Sequence, residues 1–392
     1  MSKGFSYSMT LEVISEGFDG KTEWFSPRAG IIPPQTAVLT VVKSLLGDSD
    51  VFLSVASCYS ENLGHTWSKL ICHENSLGRR LEPDGIEVTF CDITPMWHAA
   101  TGKLLATGHT ARYKNGKLIP KLRRRETAYA VYHPATHTWS AWAVMEMPDP
   151  EDKFFSCGAG CTQRVDLDNG QILLPVYFMP RKEASDPWRH CYRTTVVRCR
   201  FDGQVLKYIE HGDELTVPEP RGLAEPSLIC FQGTFFLTLR NDLRGYVTRG
   251  SDGLHFEPPI PWCFDDGQEL GSYNTQQHWL TLGNKLFLSY TRKGAGNDDV
   301  FRHRAPLFLA QVDPERLCVL KQTERLIVPN KGAQLGNFGT VQVSPEESWV
   351  LTSEGMQGDA RQPYDIQRTI SRGANNRIYL VRLHSVDRSK NT

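Results

Sequence analysis

Along the chain, short apolar runs of Val, Ile, Leu, Phe and Tyr alternate with clusters of Gly, Pro, Asn and Asp, and convincing stretches at the 3.6-residue spacing of an amphipathic helix are missing. Runs such as TAVLTVVKSLL, QILLPVYFM, TFFLTLRN, KLFLSYTR and RIYLVRL read as strands, so the pattern predicts an all-β chain. They recur in a unit of roughly 50 to 65 residues: a polar lead-in, a strand, a tight turn, a second strand, a polar loop, then a third strand and a turn. That period belongs to propeller blades. Six units are expected, beginning near Arg28, His98, Cys157, Glu225, Tyr273 and Asn337. The N-terminal strand, about residues 6–14, has no unit of its own and is expected to complete the last blade. A single six-bladed domain over 1–392 then has no free sheet edge.

Charge and composition narrow the function classes. Forty-four basic residues balance forty-four acidic ones, which removes the general attraction on which nucleic-acid and membrane-surface binders depend. No stretch approaches the roughly 20 apolar residues of a membrane helix, and the first residues lack the apolar core of a signal peptide, so a cytoplasmic protein is expected. Ten cysteines, none in a CxxC pair, read as buried reduced thiols. No acidic cluster has convincing metal-ligand spacing, and no cofactor or metal is expected.

After the third strand of the first unit comes SENLGHTW, and the second and fourth units carry HPATHTWSAW and RGSDGLHF at the same place. In each, a side-chain oxygen is placed to cap backbone N–H groups, and Trp67, Trp139 or Phe256 to pack between sheets, with Gly64 and Gly253 supplying a positive φ. These octets resemble the Asp box of sialidases and related propellers.

The resemblance implies an axial site built by the lead-ins to innermost strands and by the loops after second strands. Those places hold Arg28, Asp50, His98, His109, Arg112, Gln163, Glu225, Arg240, Asn274, His278, Arg292, Arg304, Asn337 and Glu354. By resemblance, SPRAGIIPP supplies the first of three carboxylate-binding arginines, Arg28; AEPSLICFQGTFFLTLRN supplies a buried glutamate, Glu225, and the second, Arg240; NDDVFRHRAPLFLAQ supplies the third, Arg304 rather than Arg302. GDSDVF stands where the family carries its acid/base aspartate, giving Asp50 over Asp48. His109, Gln163, Asn274, Arg292 and Asn337 are expected to bind substrate. One position departs from the family: its nucleophilic tyrosine falls on Phe338, and its final Tyr-Glu pair on Ser353 and Glu354. A phenyl ring cannot attack an anomeric carbon, so the covalent route through a tyrosyl enzyme is not expected unless another hydroxyl such as Tyr273 or Tyr290 takes its place.

The expected function is an exo-acting glycoside hydrolase on a terminal acidic sugar, with Asp50 as acid and Glu225 or Glu354 as base. The first alternative is a lyase, or a rhamnosidase, acting on uronic-acid glycans with His278 or His98 as base. The second is a glycan-binding propeller without catalysis. In each case the partner is a glycan.

Overall fold

The computed structural model describes residues 6–46, 50–119, 123–149, 151–184, 191–357, 361–362 and 365–386. The chain folds as an all-β propeller whose strands pair into six sheets. The first runs outward through Thr22–Ile32, Thr36–Leu45, Val51–Ser60 and Ile71–Cys72. The second is built on Glu87–His98, Lys103–Lys114 and Thr127–His133, and the third on Ser156–Gly158, Gln171–Met179, Cys191–Phe201 and Leu206–His211. Ala224–Phe231, Thr234–Arg240, Tyr246–Gly250 and Ile260–Pro261 make the fourth; His278–Leu282, Lys285–Tyr290, Leu307–Asp313 and Cys318–Val319 lead through the fifth. The sixth contains Gly339–Gln342, Glu347–Ser353 and Ile378–Ser385, and its outer strand is Tyr7–Ser15, paired antiparallel from Tyr7 opposite Ser385 onward.

The core is divided among the seams between sheets. Val55 packs with Phe90 and Leu104 between the first and second, and Leu105 and Val131 with Ile172 and Val197 between the second and third. Leu173 and Leu237, Phe236 and Leu288, and Leu307 and Val350 belong to the next three seams. Ala29 and Leu39 meet Trp349 and Leu380 in the seam that joins the sixth sheet to the first. Counted as regular blades the propeller has five, one fewer than expected. Irregularity is plain in the third sheet, whose innermost strand is split into Ser156–Gly158 and Val165–Asp166 around a loop that approaches the axis.

The turn octets behave as hairpin signatures. Ser60 Oγ accepts from the backbone N–H of Gly64 at 2.7 Å and Asn62 Oδ1 from that of Thr66 at 2.9 Å, while Gly64 has φ 74°. Asp252 Oδ1 caps Leu254 and His255 at 2.9 and 2.8 Å. Trp139 donates to Ser57 Oγ of the neighbouring sheet, and Trp67 packs against Trp349.

A second repeated feature positions the site. At or just ahead of the innermost strands, Ser26, Asp92, Cys161, Glu225 and Asn274 have φ between 44° and 59°. In the first, second and fourth sheets the ladder register breaks there, between Phe25 and Arg28, Cys91 and Thr94, and Ala224 and Ser227. A bulge of this kind re-aims side chains, here toward the axis. The second innermost strand corrects one expectation: it begins at Glu87 and ends at His98, so His98 closes the strand instead of opening it. Pro95 and the bulge at Asp92 interrupt the apolar alternation by which a strand is recognised.

Candidate functional site

Three arginines expected at the axis are buried there: Arg28, Arg240 and Arg304 are 2%, 4% and 5% exposed. Arg28 donates through Nη1 to Ser26 Oγ at 2.6 Å, while its Nε and Nη2 have no partner among the described residues. Arg240 donates through Nη1 to Glu225 Oε1 and through Nη2 to Asn274 Oδ1 at 2.6 Å, leaving Nε unpartnered. Arg304 reaches Asn274 O at 2.5 Å and Gln334 Oε1 at 3.2 Å, and its Nε too is unpartnered. Asn274 thus bridges two of the three. Two glycines of the sixth-sheet lead-in make the close approach feasible: a Cβ on Gly336 would stand 2.6 Å from Arg304 Cδ, and one on Gly339 2.5 Å from Arg28 Cγ. Between them Asn337 is half-buried, with an unpartnered Nδ2.

Electrostatics follow from this crowding. Burial raises the Glu225 carboxyl, but the Arg240 guanidinium bonded to it outweighs burial and holds it down at about 2. Burial pushes Arg304 down to about 9, with the like charges of Arg240 and Arg302 acting in the same direction. Arg304 is therefore a cation lacking a full counter-charge. Asp50, exposed at the rim with φ 54°, is close enough for its charge to act on Arg302 and Arg304; its carbonyl accepts from the Tyr113 hydroxyl at 2.7 Å, which fixes the loop. Asp48, the alternative to it, lies outside the described residues.

The second and third sheets contribute a group in which His109 was expected to bind substrate, while Asp92 and Tyr177 were missed by sequence reading. Asp92 accepts from Ser26 Oγ at 3.0 Å and faces His109 Nε2 at 3.3 Å; His109 Nδ1 meets the Tyr177 hydroxyl at 3.2 Å. Burial raises the Asp92 carboxyl, yet bonding to His109 and the charges of His109 and Arg28 bring it below the usual carboxylate range. His109 is held below the ordinary imidazole value by burial, assisted by Arg125. Arg125 turns inward from the basic run 123–125, its guanidinium 4.9 Å from the Tyr177 ring and 5.7 Å from that of Tyr192. Cys91, Asp92 and His109 bring donor atoms within 4.8 Å of one another. Arg28 stands beside them and burial keeps the Cys91 thiol protonated, so this donor set is ill-suited to a cation. The signal for Asp92 was its register: it stands about as far ahead of its second strand as Ser26, Cys161 and Glu225 do of theirs.

Several expected site residues have structural duties instead. His98 bonds Thr101 Oγ1 at 2.8 Å and Gly170 O at 3.0 Å at the far end of its strand, away from the arginines. Gln163 ties three sheets together, accepting from Trp279 N at 2.7 Å and donating to Trp279 O and Thr340 Oγ1 at 2.9 and 2.8 Å. Arg292 is gripped in two places by Glu324, at 2.9 and 2.7 Å, and Arg112 by Glu82 and Glu126. Glu354 is saturated by the Tyr379 hydroxyl, Arg377 and the backbone N–H groups of Asn375 and Arg377. It has no lone pair to spare for a water. Tyr290 is fully buried and donates to Glu324, which removes it as a replacement hydroxyl. His278 does lie near Arg28 and Glu225; its Nδ1 meets Ser227 Oγ at 2.8 Å and its Nε2 is unpartnered. Burial, then Arg28, holds it neutral. Phe338, fully buried, packs edge-on against the His278 ring at 5.2 Å.

No protein-family model matches the chain, and no curated protein matches it. Solved structures do. A protein of unknown function from Dyadobacter fermentans superposes with a TM-score of 0.61 at 14% identity, covering 96% of this chain and 99% of that one. The Trypanosoma rangeli sialidase gives 0.59 at 13%, over 97% of this chain and 60% of its own, so the present chain spans well under two thirds of it. The NanB sialidase from Streptococcus pneumoniae gives 0.62 at 11%, over 96% and 70%. These likenesses establish a sialidase-like propeller fold; at such identities they speak of the fold alone.

Proposed function

We propose that the chain is an exo-acting glycoside hydrolase, built as a six-bladed ring, whose axial site takes the terminal acidic sugar of a glycan by its carboxylate. The observation that carries this reading is the trio of buried guanidiniums, Arg28, Arg240 and Arg304, each with an N–H unpartnered among the described residues. Buried donors are ordinarily satisfied, and a guanidinium fork matches a carboxylate in two places. Glu225 neutralises Arg240, leaving Arg28 and Arg304 to an incoming anion. Asp50 at the rim is the general acid. Fold neighbours support a sugar ligand, since the Trypanosoma rangeli sialidase has been solved with sialic acid. The ten free thiols support a reducing compartment, as in cytoplasm.

A panel of acidic oligosaccharides, with neutral analogues as controls, tests the proposal. Release of the terminal acidic sugar by the wild type, lost in Arg28→Ala and Arg304→Ala, is the expected result; equal action on neutral analogues would sink it. One observation favours a second reading, elimination from a uronate. The neutral imidazole of His278, beside Arg28 and Glu225, has the character of a base. A rise in absorbance at the band of an unsaturated uronate, abolished in His278→Ala, would decide for that route.

A further inference from the structure

The base of the hydrolysis remains to be assigned. Glu225 gives Oε1 to Arg240 and, although its Oε2 is unpartnered among the described residues, its carboxyl is held at about 2, too weak a base for water; Glu354 is saturated, and His278 is fully buried under Phe338. His109 is boxed in: a Cβ on Gly160 would stand 2.1 Å from its Nδ1 and one on Gly158 2.5 Å from its Cβ. Its ring has no room to meet a substrate. A second chain of polar groups, on the fifth sheet, is placed differently. The half-buried Tyr273 shares a hydrogen bond of 2.5 Å between its hydroxyl and His303 Nδ1, and His303 Nε2 faces Asp298 Oδ1 at 3.2 Å. A hydroxyl held by a base that is oriented in turn by a carboxylate is the arrangement that activates hydroxyl groups and water in acyl and glycosyl transfer.

Its position in the chain ties this relay to the arginines. Tyr273 precedes Asn274, which bridges Arg240 and Arg304, and His303 precedes Arg304 itself. Arg302 and Arg304 both lie close enough for their charges to act on the Tyr273 phenol. Asn274, Arg302 and His303 have φ of 52°, 55° and 53°. Left-handed conformations at non-glycine residues persist where the surroundings impose them, and such positions gather at functional sites. Here they turn the imidazole toward the phenol and the guanidinium toward the axis.

We propose, resting on the reading of the site as an acidic-sugar hydrolase, that Tyr273, His303 and Asp298 form the relay that activates the attacking water. The water oxygen bonds to the anomeric carbon as the bond from that carbon to the leaving oxygen breaks. One water proton passes to the Tyr273 oxygen while the phenolic proton passes to His303 Nδ1, and the imidazolium so formed faces the Asp298 carboxylate. The electron pair of the broken bond stays on the leaving oxygen, which takes the proton of Asp50. Single displacement by water inverts the anomeric configuration. Tyr273 is the catalytic residue of the relay; His303 and Asp298 act through it.

The probes are the 4-methylumbelliferyl glycosides of N-acetylneuraminic and glucuronic acids for turnover, and the two free acids for calorimetry. In Tyr273→Phe, affinity for the free acid holds within about twofold while kcat falls about 10²- to 10⁴-fold, the usual worth of general acid–base catalysis. His303→Ala and His303→Gln both lower kcat with KM unchanged, because neither side chain can take the phenolic proton, and proton magnetic resonance shows the inverted anomer first. Wild-type kcat in Tyr273→Phe, a retained anomer, or binding without turnover in the wild type overturns the relay and leaves carboxylate recognition standing. Failure of the wild type to bind either acid overturns both. The thermal midpoint of each variant guards against loss of fold, and His303→Gln supplies a second substitution if Tyr273→Phe does not fold.

Discussion

At one end of the axis Arg28 and Asp92 of innermost strands, Arg240 at the end of a second strand and Arg304 ahead of a third are buried together; farther along, innermost strands line a cavity of about 510 Å³ with Ile31, Met96, Trp97, Leu228 and Ile229. The difference arises within the strands. At the three bulges a left-handed residue, Ser26, Asp92 or Glu225, turns a polar side chain toward the arginines; after it the regular alternation returns apolar residues inward. The charged end is held by ion pairs that a ligand could complete. Toward the apolar end, Gln163 closes a hydrogen-bond circuit among three sheets that asks for nothing more. Unsatisfied charge and structural closure thus lie at opposite ends of one set of sheets.

Five measurements would break or sharpen that contrast. The largest effect is expected for Arg240→Ala, which strands the Glu225 carboxylate, only 11% exposed, without its partner. Removing one partner of a buried pair costs about 3–5 kcal/mol, read as a fall in the urea midpoint, and a loss below 1 kcal/mol would show that water reaches the pair. Next comes acid sensitivity. Glu225 has a folded-state value of about 2 against an ordinary 4.5, so its contribution is present above pH 4.5 and is lost as pH falls through about 2. That shift corresponds to about 3 kcal/mol, and an acid titration of stability in Glu225→Gln should lack this part of the slope.

Gly160→Ala drives a methyl into the His109 ring and should cost about 1–3 kcal/mol, seen in the thermal midpoint. Gln163→Ala opens the circuit away from the arginines; a loss of about 1–2 kcal/mol is expected with acidic-sugar affinity unchanged, and a lost affinity would join the two ends that the fold separates. The smallest change is Asn62→Asp in the first turn octet. The cap to Thr66 survives, and stability should move by less than about 0.5 kcal/mol in a denaturant titration.

The blade repeat was legible because each sheet spends its apolar residues in the same order, and the partnership of the N-terminal strand with the last sheet followed from the need to cover an edge. Among site residues, Arg28, Arg240, Arg304 and Glu225 were picked out by the resemblance of their stretches to sialidase motifs, and the structure brings Arg240, Glu225 and Arg304 together around Asn274. Asp92 was hidden inside the run FCDITPMW, where a bulge and a proline disguise the strand start; the same disguise moved His98 to the wrong end. The duties of Arg292, Glu354 and Gln163 could not be read at all. Their partners Glu324, Tyr379 and Thr340 are brought to them by the turning of the chain, and no local pattern announces that a charge is already satisfied.

The pairing of Tyr7–Ser15 with Ile378–Ser385 has a consequence in time. During synthesis the outermost strand of the sixth sheet leaves the ribosome long before its partner does. Until Ile378–Ser385 has emerged, the seam that brings Gly339 against Arg28 lacks Ile378 and Leu380 and keeps, of the sixth sheet's buried residues there, only Trp349 and Leu351. A nascent chain stopped short of that point would carry most of its sheets without the closed ring around its arginines. The cluster is completed with the last strand of the sixth sheet, and a stalled or clipped chain should lose whatever the closed ring binds.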